Sequence, residues 1–171
     1  MPSGGGKVDA SPAASDQHYA DHGISFSYPS GWKQLRLTGT SASAGSQDWS
    51  ATFGLDQRNV VIVSQFTLTV SITADDIDSK ADAIRGQLDS LFTQAGGALT
   101  GGPTRERMGG LPALGFSGRA KTPNGDAVDS RLVLAFDGRT EYFVNCQYDA
   151  EHADDVAAGC DEIVSTFRKA A

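Results

Sequence analysis

The stretch NGDAVDSRLVLAFDGRTEYFVNCQY, residues 124–148, decides the fold. It holds two dipeptides, Asn124-Gly125 and Asp137-Gly138, that tolerate the positive φ angles of tight turns. They bracket an extended run at 127–136, and a second run follows at 141–148. Strands joined by such short turns must run antiparallel. In the second run Tyr142, Val144, Cys146 and Tyr148 alternate, which gathers them on one apolar face. Downstream, Val156, Cys160, Ile163 and Phe167 recur at helical spacing, so a helix is expected over 150–169.

Upstream, a strand is expected at 113–122, and the Gly109-Gly110 turn separates it from another at 104–108. Before these, Thr73-Ala74-Asp75-Asp76 reads as a helix start, with Thr73 as N-cap and acids in the first turn. Ile77, Ala81, Ile84, Leu88 and Leu91 form the apolar face of that helix, and Gly96-Gly97 ends it. Four strands precede it, at 24–28, 32–37, 49–55 and 59–70. Val60, Val61, Ile62 and Val63 are apolar without alternation, so both faces of the last strand are covered there. The reading is an α+β domain of element order ββββα-ββββα, with helices packed on a mostly antiparallel sheet.

The chain has 171 residues and is 39% hydrophobic, enough for one sizeable core. Its net charge of −7 repels phosphate backbones and speaks against nucleic acid as a partner. Basic residues are scattered, and Arg105 and Arg107, alternate positions on a strand, are the nearest thing to a basic patch. No stretch approaches the ~20 apolar residues of a membrane helix. Residues 1–17, with Pro2-Ser3-Gly4-Gly5-Gly6 and Ser11-Pro12-Ala13-Ala14-Ser15, have the composition of a flexible tether. They are expected to be the stalk of a bacterial lipoprotein, with residues 18–171 as the folded domain; an ordinary loose terminus is the alternative.

Three segments resemble one family. Gly23-Ile24-Ser25-Phe26-Ser27-Tyr28-Pro29-Ser30-Gly31-Trp32 is similar to the opening hairpin of PsbP-like proteins. Gly109-Gly110-Leu111-Pro112-Ala113 is similar to their middle turn, and Ile163-Val164-Ser165-Thr166-Phe167 to their closing helix. That family includes a photosystem II extrinsic subunit, a nuclear-transport factor that binds the Ran GTPase, and bacterial envelope lipoproteins. The resemblance implies an α/β/α sandwich and no single activity, since its members mostly bind partners. It brings no catalytic set with it, and Phe26, Pro29 and Trp32 read as packing around a tight hairpin.

Few residues carry a recognisable chemistry. His18 and His22 stand four apart, a metal-ligand spacing on a helix, but Gly23 limits any helix there to a turn. They are expected to be solvated. His152, with Glu151, Asp154 and Asp155, falls in a helix start, where acids answer the helix dipole. Asp75, Asp76 and Asp78 have the same explanation. Gly115-Phe116-Ser117-Gly118 has the wrong spacing for a nucleophile elbow and lies in a strand. No phosphate loop or dinucleotide fingerprint occurs, and no cofactor or metal is implied.

Cys146 and Cys160 are the strongest chemical feature. If the last helix folds back over its strand, Cys160 lies ~15 Å from the corner at ~1.5 Å per residue. Cys146 lies ~10–13 Å from it at ~3.3 Å per residue. The pair is therefore expected to form a disulfide, which places the protein outside the cytoplasm; two buried thiols of a cytosolic protein are the alternative.

The expected function is a non-catalytic binding or accessory protein of the bacterial cell envelope that engages a protein partner. The candidate partner surface is Trp49, with the polar loop before it, together with Arg105 and Arg107. A carrier of a small apolar ligand is the second reading, and an enzyme without a recognisable motif the third. Contact with a membrane is expected only through a lipid anchor.

Overall fold

The computed structural model describes residues 16–36 and 47–170. Five strands come first: β1 (Gln17–Asp21), β2 (Ile24–Tyr28), β3 (Lys33–Leu35), β4 (Gln47–Gly54) and β5 (Val60–Ile72). Helix α1 (Ile77–Gln94) follows, then β6 (Ala98–Met108), β7 (Leu111–Lys121) and β8 (Ala127–Tyr148). A 3-10 turn (Ala150–His152), helix α2 (Ala153–Thr166) and β9 (Arg168–Lys169) complete the chain. The large sheet has the order β3-β4-β5-β8-β7-β6, and a small sheet has the order β9-β2-β1. Every pairing is antiparallel.

β8 is one run of 22 extended residues, which laid straight would reach ~70 Å at ~3.3 Å per residue. It cannot be straight. The Arg58 guanidinium lies 3.4 Å from Asp126 and 3.7 Å from Asp149, and these acids flank the two ends of β8. The strand therefore folds back at Asp137-Gly138, where Gly138 has φ 64°. Such a reversal sets 132 beside 143 and 133 beside 142. Leu132 and Phe143 do share the α1 face, and Val133 and Tyr142 the α2 face. The first half of β8 pairs with β7 and the second with β5.

The two faces hold separate cores. On one, Ile77, Ala81, Leu88 and Phe92 of α1 pack on Leu114, Phe116, Leu132, Leu134 and Phe136. On the other, α2 and the small sheet cover Phe53, Val61, Val63, Val144 and Cys146. Phe26 meets Phe53 edge-on with ring centroids 5.3 Å apart. Trp32 lies against α2 where Gly159 makes room: a Cβ there would stand 2.2 Å from the indole. Cys146 and Cys160 form a disulfide across β8 and α2, with Cα atoms 5.9 Å apart and both residues buried.

Several boundaries differ from those the sequence suggests. β2 and β3 do not form a hairpin: β2 lies between β1 and β9, while β3 joins the large sheet. Trp32 turns the chain between them through its N–H to the Pro29 carbonyl, 3.0 Å. The α1 N-cap is Asp76, not Thr73. The Asp76 carboxylate accepts from the Thr73 N–H at 2.7 Å, so a full turn precedes the helix. β6 starts at Ala98, six residues earlier than expected, because the register slips at Gly101 let the sheet absorb Gly-Gly-Pro. The last helix ends at Thr166, and Phe167 turns extended so that β9 can pair with β2.

Candidate functional site

The best organised exposed feature is an aromatic cluster where the small sheet meets β4. Tyr19 lies opposite Phe26 in the β1–β2 pairing. Its ring stacks on Phe26 at 5.1 Å and meets Phe53 edge-on at 5.3 Å, which roots it in the core. Burial, and then the Asp21 charge, push its phenol pKa upward. The β1–β2 turn is a two-residue loop between the paired Asp21 and Ile24, and it needs positive φ at both positions, which His22 (φ 53°) and Gly23 (φ 77°) supply. Asp21 holds it there by accepting the His22 N–H at 2.8 Å.

The His22 ring stacks on Trp49, 4.5 Å between centroids and 18° from parallel. It also shares a hydrogen bond with the Tyr19 hydroxyl at 3.2 Å. The Trp49 indole N–H donates to Gln65 Oε1 at 2.9 Å. Gln65 in turn donates to Asp48 at 3.3 Å, and the Thr67 hydroxyl to the same Asp48 oxygen at 2.8 Å. A chain of contacts thus runs from Asp21 through His22, Trp49 and Gln65 to Asp48. Among the described residues, neither Asp21 nor Asp48 meets a Lys or Arg.

The second feature lies on the α1 face of the sheet. Helix α1 packs on β6 and β7, while the neighbouring half of that face carries Glu141, Phe143 and Asn145 of β8. These sit opposite Phe66, Ser64 and Ile62 of β5. Thr52, Ser64 and Ser130 are buried polar residues of the same face. Desolvation pushes the Glu141 carboxyl up to about 7. Among the described residues the buried Asn145 Oδ1 has no hydrogen-bond partner. Orphaned buried acceptors are few in native proteins and mark sites of water, ligand or strain.

Several other ionisable groups lie in structural networks. Asp149 caps the turn before α2, and the buried Asn59 amide, then His152, hold its carboxyl at about 2. Asn59 donates to Asp149 at 3.1 Å and to Asp56 at 3.0 Å, and it accepts the Asp149 N–H at 2.9 Å. His152 is raised by Asp149. Arg131 bridges Asp161 at 2.8 Å and Glu106 at 3.4 Å beside the Cys160 sulfur. Glu162 is pushed to about 7 by burial, then by Asp16.

The residues singled out from sequence fall in different places. Trp49 is half-buried on the α2 face, near the β3 edge of the sheet. Arg105 and Arg107 lie on β6, at the opposite edge, and Arg105 pairs across from Leu114 of the α1 face. They line a shallow cavity of about 380 Å³ with Ala74, Glu106 and Pro112. Arg105 is paired with Asp78 at 2.8 Å, and Arg107 donates to the Gly110 carbonyl at 3.0 Å. The structure thus does not join the arginines to Trp49 in one patch. The polar loop before Trp49 falls largely at 37–46, outside the described residues.

His18 and His22 stand on a strand and its turn, not on a helix. His18 bonds to the Ser27 hydroxyl at 2.9 Å, away from the His22 stack. The described residues hold no cluster of three or more metal-ligating side chains. Tyr19, His22, Glu141 and Asn145 carry no motif and were not legible as a site. The one available signal was Glu141 and Asn145 sharing alternation with Phe143, on a face the facing strand makes apolar.

No protein-family model matches the sequence, and no curated protein matches it. Solved structures do. Cyanobacterial PsbP (CyanoP) from Synechocystis superposes with a TM-score of 0.65 at 17% identity, over 91% of this chain and 93% of that one. The chain has the PsbP fold. Two further structures carry the same fold more loosely. LpqN of Mycobacterium tuberculosis, involved in cell envelope biogenesis, matches with a TM-score of 0.53 at 13% identity, over 91% of this chain and 92% of that one. A protein of Bacteroides thetaiotaomicron matches at 0.52 and 13%, with 92% of this PsbP-fold chain covering 49% of that one.

Proposed function

We propose that this PsbP-fold chain is a non-catalytic accessory protein of the bacterial cell envelope, tethered as a lipoprotein, which engages a protein partner through the Tyr19–His22–Trp49 surface. The observation that carries the reading is the stack of the exposed His22 ring on Trp49, which Tyr19 links to the core through its hydrogen bond to His22 and its stack on Phe26. Preorganised aromatic anchors are what protein partners use. Among the described residues the perturbed ionisable groups lie apart from one another, a pattern that fits binding. The envelope setting draws on the Cys146–Cys160 disulfide, the tether-like composition of residues 1–17, and the fold shared with LpqN. No described helix is long and apolar enough to cross a membrane.

The test is affinity capture from native envelope with the wild-type chain and with Trp49→Ala and His22→Ala, each checked for unchanged circular dichroism. A partner retained by the wild type and lost by both variants supports the reading. A partner captured equally by all three removes it.

A second reading rests on Glu141 and Asn145: the α1 face takes a small, largely apolar ligand that supplies a donor to the Asn145 acceptor. Native mass spectrometry of protein purified from its own envelope decides it. A bound small molecule that Asn145→Leu loses supports the carrier, and a ligand-free wild type removes it.

A further inference from the structure

Resting on the docking reading above, we infer that the Tyr19–His22–Trp49 surface recognises an arginine side chain of its protein partner. Its rings are anchored, and among the described residues no Lys or Arg pairs with its carboxylates. Asp48 Oδ2 accepts from Gln65 and Thr67, and among the described residues its second oxygen accepts from none. Asp21 spends one oxygen on the His22 N–H, while the other stands 3.8 Å from His22 Nδ1. Asp21 therefore stands beside the exposed imidazole, and Asp48 lies two contacts further along, beyond Trp49 and Gln65, on a chain whose net charge is −7. A cationic partner group complements that field.

The ring geometry selects the kind of cation. Trp49 has one face covered by His22, and Tyr19 has one covered by Phe26. The outward face of His22 is what solvent meets, and a planar guanidinium stacks on a flat ring while forking to a carboxylate. An ammonium group has no plane to stack and is held more strongly by water.

The test is a nuclear magnetic resonance titration of the full chain with acetyl-Gly-Arg-Gly-Arg-Gly-amide and with its citrulline twin, which has the same shape without the charge. The arginine peptide is expected to shift the Trp49 indole N–H and the amides of Asp21 and His22 saturably, and the citrulline peptide to leave them in place. Asp21→Asn and Asp48→Asn should each weaken binding about two- to fivefold, the range of an exposed ion pair. Equal binding of the two peptides, or no loss in either variant, overturns the assignment. Shifts produced by maltose and not by the arginine peptide overturn it in favour of a sugar site. If the peptide fails while Trp49→Ala still loses the captured partner, only the arginine assignment falls. If capture is indifferent to Trp49→Ala, the docking surface itself falls.

Discussion

Replacing Glu141 by glutamine should stabilise the protein at alkaline pH and leave it almost unchanged in acid. Burial raises the Glu141 carboxyl from 4.5 to about 7 in the folded chain. The native state thus holds a proton that the unfolded state releases, and the stability linked to it is fully present below about 4.5 and lost as pH rises through about 7. At 1.36 kcal/mol per pH unit the loss approaches about 3 kcal/mol by pH 8, a ceiling lowered by whatever water still reaches the group. Glu141→Gln keeps the shape and cannot ionise. It should gain up to that amount at pH 8, about 6–12 °C in Tm for a domain of this size. Glu162 is raised to about 7 as well, so the comparison belongs on a Glu162→Gln background. Urea unfolding from pH 4 to 8.5 gives the answer. Parallel stability curves for the two proteins would refute desolvation of Glu141.

The disulfide closes a loop of sequence separation 14, so Cys146→Ala with Cys160→Ala should cost about 3 kcal/mol; a loss below about 1 kcal/mol in urea unfolding contradicts this. Asn59→Ala leaves Asp149 without its amide donor at the β8–α2 corner. It should cost about 2–4 kcal/mol and raise the Asp149 carboxyl from about 2, which a carbon-detected titration reads directly. Removing residues 1–15 should move Tm by less than about 1 °C, since their composition offers little apolar surface to set against ordering entropy; a larger drop shows that they dock on the domain.

What was legible in the sequence follows from how local each signal is. The Asn124-Gly125 and Asp137-Gly138 reversals need only their own dihedrals, and they place the central strands. The faces of α1 and α2 follow from period alone, as does Cys160 falling on the buried side of its helix. The small sheet was not legible. β1 and β9 are five and two residues long, and they exist because β2 offers an edge on each side. That is a tertiary fact that no window around Gln17 or Arg168 contains. Thr73 misled because a hydroxyl before acids satisfies the capping pattern whichever group donates, and here the Asp76 carboxylate is the acceptor. The candidate surface stayed hidden for a related reason. Trp49 was visible as an aromatic, but its partner His22 is 27 positions away and meets it only after the two sheets pack.

The disulfide and Glu141 sit on opposite faces of β8, and their energies oppose each other. At pH 8 the ionised Glu141 costs up to about 3 kcal/mol, close to the ~3 kcal/mol the disulfide contributes through the unfolded chain. One effect acts on the native state and the other mainly on the denatured ensemble, so they share no mechanism and should add. Losing the disulfide at pH 8 then falls on a protein already weakened by Glu141, whereas at pH 4.5 the same loss falls on one at full strength. A chain carrying Glu141→Gln with Cys146→Ala and Cys160→Ala should return to near wild-type stability at pH 8 and remain about 3 kcal/mol below it at pH 4.5. A triple variant equally destabilised at both pH values would mean that Glu141 is not the group that titrates, and that the stability lost on raising pH comes from elsewhere in the fold.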